Sequence, residues 1–224
     1  MSAGVALVTG ASRGVGRAVA QRLAQRGLKL ALMGRASAQQ SALAQSLGAL
    51  ELVTELTSAE SLSRAAEQTL QQLGPPSVVV HNAGMVVRER IEATSVAAWD
   101  EQMAVNLRAP FVLTRALLPS MRAAGRGRFV FVGSISGTLG SPCAAGYAAS
   151  KWGLTGFMKS LAEELTDSGL MACAVLPGSI DTDMLKGSPF APRMSADEVA
   201  RSIEFLALDA PLSHNGGTLE MFGV

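Results

Sequence analysis

The chain has 224 residues, 48% of them hydrophobic, with a formal net charge of +1. That length suits one well-packed domain spanning residues 1–224 and is short for two. The near-zero charge gives no support for binding nucleic acid or an anionic membrane through bulk charge. Along the chain, short apolar runs alternate with amphipathic stretches. Residues 5–8 are a strand candidate, followed by Val15, Val19 and Leu23 at helical spacing. Residues 28–33 form a second strand, Leu43 and Leu47 mark a weak helix, and 51–55 form a short third strand. Leu62, Ala66, Leu70 and Leu73 line a clearer helix, and 78–81 follow Pro75-Pro76 as a buried strand. A long helical pattern covers about 96–121, then come a strand at 129–133, a helix at 147–166 and a strand at 171–176. Val199, Ile203 and Leu206 mark the last helix, and 218–222 a final strand. Strands that are apolar throughout need cover on both faces, as in parallel sheets. The alternation therefore predicts an α/β fold: a doubly wound, Rossmann-like parallel sheet of about seven strands with helices on both faces.

Two cysteines, Cys143 and Cys173, make no disulfide framework, so a cytoplasmic location is expected. No run of about 20 apolar residues could span a bilayer. Threonine and glycine interrupt the first apolar run almost at once, which speaks against a signal peptide.

The first strand leads into Thr9-Gly10-Ala11-Ser12-Arg13-Gly14-Val15-Gly16 and then a helix. Glycines there let the backbone turn tightly and approach a pyrophosphate, and the helix N-terminus offers free N–H groups. An acidic residue after the second strand would hold the ribose 2′-hydroxyl of NAD. This chain has Met33-Gly34-Arg35 instead. Arg13 and Arg35 can flank a 2′-phosphate by charge-assisted bonds, so the expected cofactor is NADP(H).

Tyr147 and Lys151 are four positions apart in a helical segment, which puts phenol and ammonium on one face, roughly 6 Å apart along the axis. A free tyrosine, with a pKa of about 10, is a poor proton donor at neutral pH. A nearby ammonium stabilises the phenolate and moves that pKa toward the working range. The pair reads as an acid/base device. Pro110 lies four residues after Asn106 and removes the N–H that would bond the Asn106 carbonyl. That carbonyl is then free to hold a water that passes protons toward Lys151.

With Thr9–Gly16, His81-Asn82-Ala83-Gly84, Asn106, Ser134, Tyr147, Lys151 and Pro177-Gly178 in place, the chain resembles the short-chain dehydrogenase/reductase family over nearly its whole length. The resemblance implies a catalytic tetrad of Asn106, Ser134, Tyr147 and Lys151. In it Ser134 holds the substrate oxygen, Tyr147 exchanges a proton with it, and Lys151 lowers the tyrosine pKa and binds the nicotinamide ribose. It implies cofactor contacts from Gly10, Ser12, Arg13, Gly14, Val15, Gly16 and Arg35, from Asn82, Ala83 and Gly84, from Tyr147 and Lys151, and from Pro177, Gly178, Ile180 and Thr182. The family commonly places an aspartate after the third strand; Glu55-Leu56 occupies that region here. The implied activity is reduction of a ketone or aldehyde, or the reverse oxidation of a secondary alcohol. One alternative is 3-oxoacyl-carrier-protein reduction, suggested by the segment 177–184, although Asp167-Ser168-Gly169 offers an acidic carrier no basic residue. Another is an NADP-binding regulator without turnover, disfavoured because all four tetrad positions are filled. A homo-oligomer, tetramer or dimer, is implied through the helices near 96–121 and after Tyr147, with a small carbonyl or alcohol substrate as partner.

Other residues carry less. His81 ends an apolar strand without a metal-ligand partner at suitable spacing, so a structural role and no metal site are expected. Cys143 is expected in a wall of the substrate pocket, and Arg126 and Arg128 in a solvated turn. Met184, Leu185, Phe190 and Met194, on a segment punctuated by Gly and Pro, suit a lid over an apolar substrate.

Overall fold

The computed structural model describes residues 4–223. Seven parallel strands form one sheet in the order β3-β2-β1-β4-β5-β6-β7: β1 (Val5–Thr9), β2 (Lys29–Gly34), β3 (Leu50–Val53), β4 (Val78–His81), β5 (Gly127–Val132), β6 (Leu170–Pro177) and β7 (Thr218–Met221). Because side chains alternate across a strand, the core divides in two. Ala6 and Val8 of β1 join Val78, Val80, Val130, Cys173 and Val175 on one face. Leu7 joins Val79, Phe129, Phe131, Ala174 and Leu176 on the other.

The first face is covered by α1 (Gly14–Gln25), α2 (Ala38–Leu47) and α7 (Ala196–Glu204), the second by α3 (Ala59–Leu73), α5 (Ala109–Ala123) and α6 (Ala145–Glu164). Serine caps fix where several helices begin: Ser58 Oγ accepts from Ser61 N at 3.1 Å, and Ser195 and Glu198 form a reciprocal box at the start of α7. Arg22 of α1 grips Asp197 of α7 side-on, Nε and Nη2 donating at 2.8 and 2.7 Å.

The sheet is the one expected, but the long helix is not continuous. It consists of α4 (Val96–Met103), a π turn at Ala104–Arg108 and then α5. The Ala109 N–H reaches the Ala104 carbonyl, five residues back. Pro110 has no N–H with which to restore the tighter register there. Arg128 is inside β5 rather than in a solvated turn, and its Nη1 donates to the Leu206 carbonyl at 3.0 Å. Arg128 shares the parity of Val130, so its aliphatic stem lies on the face covered by α1 and α7 and carries the guanidinium to Leu206. Among the described residues, no helix is long and apolar enough to cross a membrane.

Candidate active site

Since β1 lies between β2 and β4, the chain leaves the sheet's centre in opposite directions and opens a crevice beyond the carboxyl ends of those strands. A cleft of about 1830 Å³ occupies that place. The turn after β1 lines it with Gly10, Ser12, Arg13, Gly14, Val15 and Gly16, and Arg35 stands at the end of β2. Asn82, Ala83 and Gly84 follow β4, and Ser134 follows β5. Tyr147 and Lys151 enter from α6, and Pro177, Gly178, Ile180 and Thr182 follow β6.

Close packing within the chain fixes two glycines of the turn. Gly10 has φ +67, and a Cβ there would come within 2.9 Å of Ala83 Cα. A Cβ on Gly16 would overlap the Gly10 carbonyl and Asn82 Nδ2, so only glycine lets α1 start this close to the sheet. Asn82 works mainly as a brace: Nδ2 donates to the Thr9 and Gly10 carbonyls at 2.9 and 3.1 Å. Thr9 Oγ1 accepts from the N–H groups of Asn82 and Ala83 at 3.0 and 2.9 Å.

Asn106 does not line the cleft. It is fully buried behind it on the π turn, where Oδ1 accepts from Met85 N at 2.8 Å and Nδ2 donates to the Met85 carbonyl at 2.9 Å. The same Nδ2 donates to Ser150 Oγ at 2.9 Å, and that hydroxyl donates to the Tyr147 carbonyl at 2.7 Å. The asparagine thus joins the loop after β4 to the first turns of α6. Gln102 of α4 extends the brace by accepting from Val87 N at 3.0 Å. Ser150 and Gln102 were not foreseen. Ser150 is signalled by its place directly before Lys151, whereas Gln102 meets a loop 15 residues away that has no periodic pattern.

Lys151 Nζ donates to the Val132 carbonyl at 2.8 Å and lies 5.6 Å from the centre of the Tyr147 ring. Burial lowers the Lys151 pKa to about 8. Tyr147 is half-buried and lines the cleft, and desolvation raises its pKa above the ordinary value; the Ser134 hydroxyl and the Arg88 charge oppose the rise. Burial outweighs the other influences on the phenol here, and the lowering ones come from Ser134 and Arg88. Desolvation penalises phenolate and ammonium alike, and Nζ gives one of its three hydrogens to a backbone carbonyl. Ser134 itself is fixed by accepting from Ser136 N at 3.1 Å.

Around the rim, Arg13 Nη1 pairs with Asp183 at 3.2 Å, bridging the glycine turn to the segment after β6. Glu55 is turned into its own loop, accepting from Thr57 N at 3.1 Å and Thr57 Oγ1 at 2.9 Å, and these bonds hold its carboxyl below the usual range. Met184, Leu185 and Phe190 face the cleft. Met194 does not: it is buried, bridges to Ile180 and packs into the core, because Ile180 itself is anchored there. Cys143 lines the cleft at φ +54. His81 is buried with Nε2 3.0 Å from Thr114 Oγ1 and stacks on Phe131. Among the described residues no group of His, Cys, Asp or Glu is placed to hold a metal ion.

A cofactor with a pyrophosphate and a 2′-phosphate fits these residues. The turn has room for it only because Gly10 and Gly16 lack side chains, α1 begins at Gly14, and a cation rather than an acid follows β2. The family model for short chain dehydrogenases matches residues 4–190. The chain belongs to that family. Among curated relatives it is similar to the 3-oxoacyl-[acyl-carrier-protein] reductase FabG of Escherichia coli, 35% identical over 98% of this chain and 96% of that one. The Haemophilus influenzae protein of the same name is 34% identical over 100% and 98%. Among solved structures, a blue fluorescent protein from a metagenomic library in complex with NADPH aligns with a TM-score of 0.89 and 32% identity, over 98% of this chain and 96% of that one. A Beutenbergia cavernae protein described as an NAD(P)-dependent gluconate 5-dehydrogenase, with NADP bound at low occupancy, aligns at 0.90 with 29% identity, over 97% and 94%.

Proposed function

We propose that residues 1–224 form one dinucleotide-binding and catalytic domain of an NADP(H)-dependent oxidoreductase that reduces a ketone or aldehyde, or oxidises the corresponding alcohol. One observation carries this reading: Ser134, Tyr147 and Lys151 converge in the cleft that begins at the glycine turn. NADPH, when bound, supplies the hydride. Gly10, Ser12, Gly14, Val15 and Gly16 hold its pyrophosphate region, with Arg13 and Arg35 on the 2′-phosphate side. Asn82, Ala83, Gly84, Pro177, Gly178, Ile180 and Thr182 form the remaining walls. Ser134 orients the substrate oxygen, and the Tyr147 hydroxyl gives it a proton. Lys151 holds the ribose and hands on protons, and the carbonyl of Asn106, left by Pro110 without its N–H, positions a water for resupply.

Similarity to the FabG proteins over the full chain favours a second, narrower reading, in which the substrate is a 3-oxoacyl thioester. A cytoplasmic location and a homo-oligomer, tetramer or dimer, complete the proposal. The assembly is supported by a hollow of about 750 Å³ beside α4, α5 and α6, where Met103, Leu107, Phe111 and Phe157 are rimmed by Asp100, Glu101 and Arg108.

The test is NADPH consumption with a panel of ketones and 3-oxoacyl thioesters. Tyr147→Phe is expected to lose roughly 10²- to 10⁴-fold in kcat while still binding NADPH. Retained turnover in that variant overturns the reading.

A further inference from the structure

Arg88 stands in the cleft, and neither the glycine turn nor the catalytic group uses it. It is half-buried on the loop after β4 and shares the cleft wall with Ser134, Tyr147 and Met184. Its Nη2 donates to the Met184 carbonyl at 3.1 Å, under the segment that follows β6. Its Nε is buried and has no hydrogen-bond partner. Among the described residues Arg88 makes no ion pair. Of the two acids on the overlying segment, Asp183 is taken by Arg13 at 3.2 Å and Lys186 at 2.6 Å, and Asp181 lines the same cleft without pairing with Arg88. The guanidinium charge is felt at the Tyr147 phenol, where it opposes the rise in pKa caused by burial.

A buried N–H without an acceptor is costly, and a charged one more so. Such a group calls for an explanation, and a ligand in the cleft supplies one. The Nε–Nη2 edge of a guanidinium matches two carboxylate oxygens in parallel. This chain uses that edge once already, Arg22 on Asp197 at 2.8 and 2.7 Å. The neutral Met184 carbonyl takes one of the two Nη2 hydrogens, which leaves the other Nη2 hydrogen, Nε and the charge unmet.

Building on the oxidoreductase reading above, we propose that Arg88 is the substrate anchor of this cleft and that the preferred substrate is an oxo acid, its carboxylate on the Arg88 Nε–Nη2 edge and its carbonyl at Ser134 and Tyr147. Nε is buried in this arrangement, so the segment that carries Met184 opens to admit the carboxylate, and its closure returns the Met184 carbonyl to Nη2 and orients the anchor. Met184 and Phe190 then cover the carbon chain between the two polar ends, which reconciles an apolar lid with a charged substrate.

The experiment measures kcat/KM with NADPH for 2-, 3- and 4-oxopentanoate, each against its methyl ester, in the wild type, Arg88→Met and Arg88→Lys. The wild type is expected to favour at least one acid over its ester. Arg88→Met should lower that acid-to-ester ratio by roughly 10- to 100-fold, the worth of a charge-assisted bond pair. Arg88→Lys, which keeps the charge without the planar edge, should fall between. A wild type with no acid preference overturns the proposal. So does a 3-oxoacyl thioester whose kcat/KM falls in Arg88→Met as far as that of the acid, since Arg88 would then read a neutral carbonyl. Calorimetry of 4-oxopentanoate on the NADPH-loaded protein separates this proposal from the oxidoreductase reading. Binding abolished by Arg88→Met, without turnover of any carbonyl compound, sinks the reaction and keeps the anchor. Equal binding in wild type and variant sinks the anchor. NADPH affinity of each variant, unchanged if the fold is intact, identifies a misfolded protein, and Arg88→Lys then carries the test.

Discussion

Asn106 and Ser150, 44 residues apart in sequence, meet in a 2.9 Å hydrogen bond between two side chains that are both fully buried. The bond ties the π turn to the α6 turn that carries Tyr147, so helix placement and phenol placement are coupled. Ser150→Ala removes the acceptor and leaves an Asn106 donor with only the Met85 carbonyl. The expected cost is about 1–3 kcal/mol of stability, read from urea denaturation. Because the Ser150 hydroxyl also holds the Tyr147 carbonyl, kcat should fall more than KM rises. A variant as stable and as active as the wild type would show that the bond contributes nothing to either.

Lys151 makes folding stability depend on pH in a definite direction. Its pKa is lowered to about 8 in the folded protein, from an ordinary value of 10.5. Between those values the unfolded chain binds the proton and the folded one does not, so stability rises with pH there. Below pH 8 the cost of burying the ammonium is present in full; it is relieved as pH climbs toward 10.5. Lys151→Met has no such cost. Its stability relative to wild type should be highest near pH 7 and decline by about 1.4 kcal/mol per pH unit through the window. Chemical denaturation of both proteins at several pH values measures this. A difference that stays flat from pH 7 to pH 10 would place the lysine pKa near its ordinary value.

The sheet could be read from the chain because each strand is an apolar run covered on both faces, and because β1 is followed at once by the glycine turn. Strand ends moved by only a residue or two, as with Lys29 in place of Leu28. The residues that line the cleft were legible for the same reason: they sit in short motifs at strand ends, where the fold puts ligands. What the sequence hid is long-range. Helical periodicity cannot distinguish an α turn from the π turn at Ala104–Arg108, since the apolar spacing barely changes. Met194 reads as a lid residue until Ile180 is seen drawing it into the core. The acidity of Tyr147 depends on burial, which four-residue spacing does not report, and the partner of Arg88 lies 96 positions away.

Of the two arginines proposed for the 2′-phosphate, Arg35 is the freer, because Arg13 is already paired with Asp183 while Arg35 lies exposed at the end of β2, beside the cleft. The Arg35 charge is felt at the Glu55 carboxyl, where it is one of the lesser causes of a lowered pKa. That carboxyl is held by Thr57, so the arginine keeps donors for a phosphate. Removing one charge-assisted phosphate contact costs about 1.5–3 kcal/mol, or roughly 10- to 100-fold in affinity. Arg35→Ala should therefore weaken NADPH binding by that factor and change NADH binding little, as measured by titration of dihydronicotinamide fluorescence. Arg13→Ala should cost less, since its loss also frees Asp183 and trades one ion pair for another. If both cofactors weaken equally in Arg35→Ala, the residue acts on the adenosine as a whole and the 2′-phosphate is read elsewhere. If neither weakens, the charge at the end of β2 is only solvated surface.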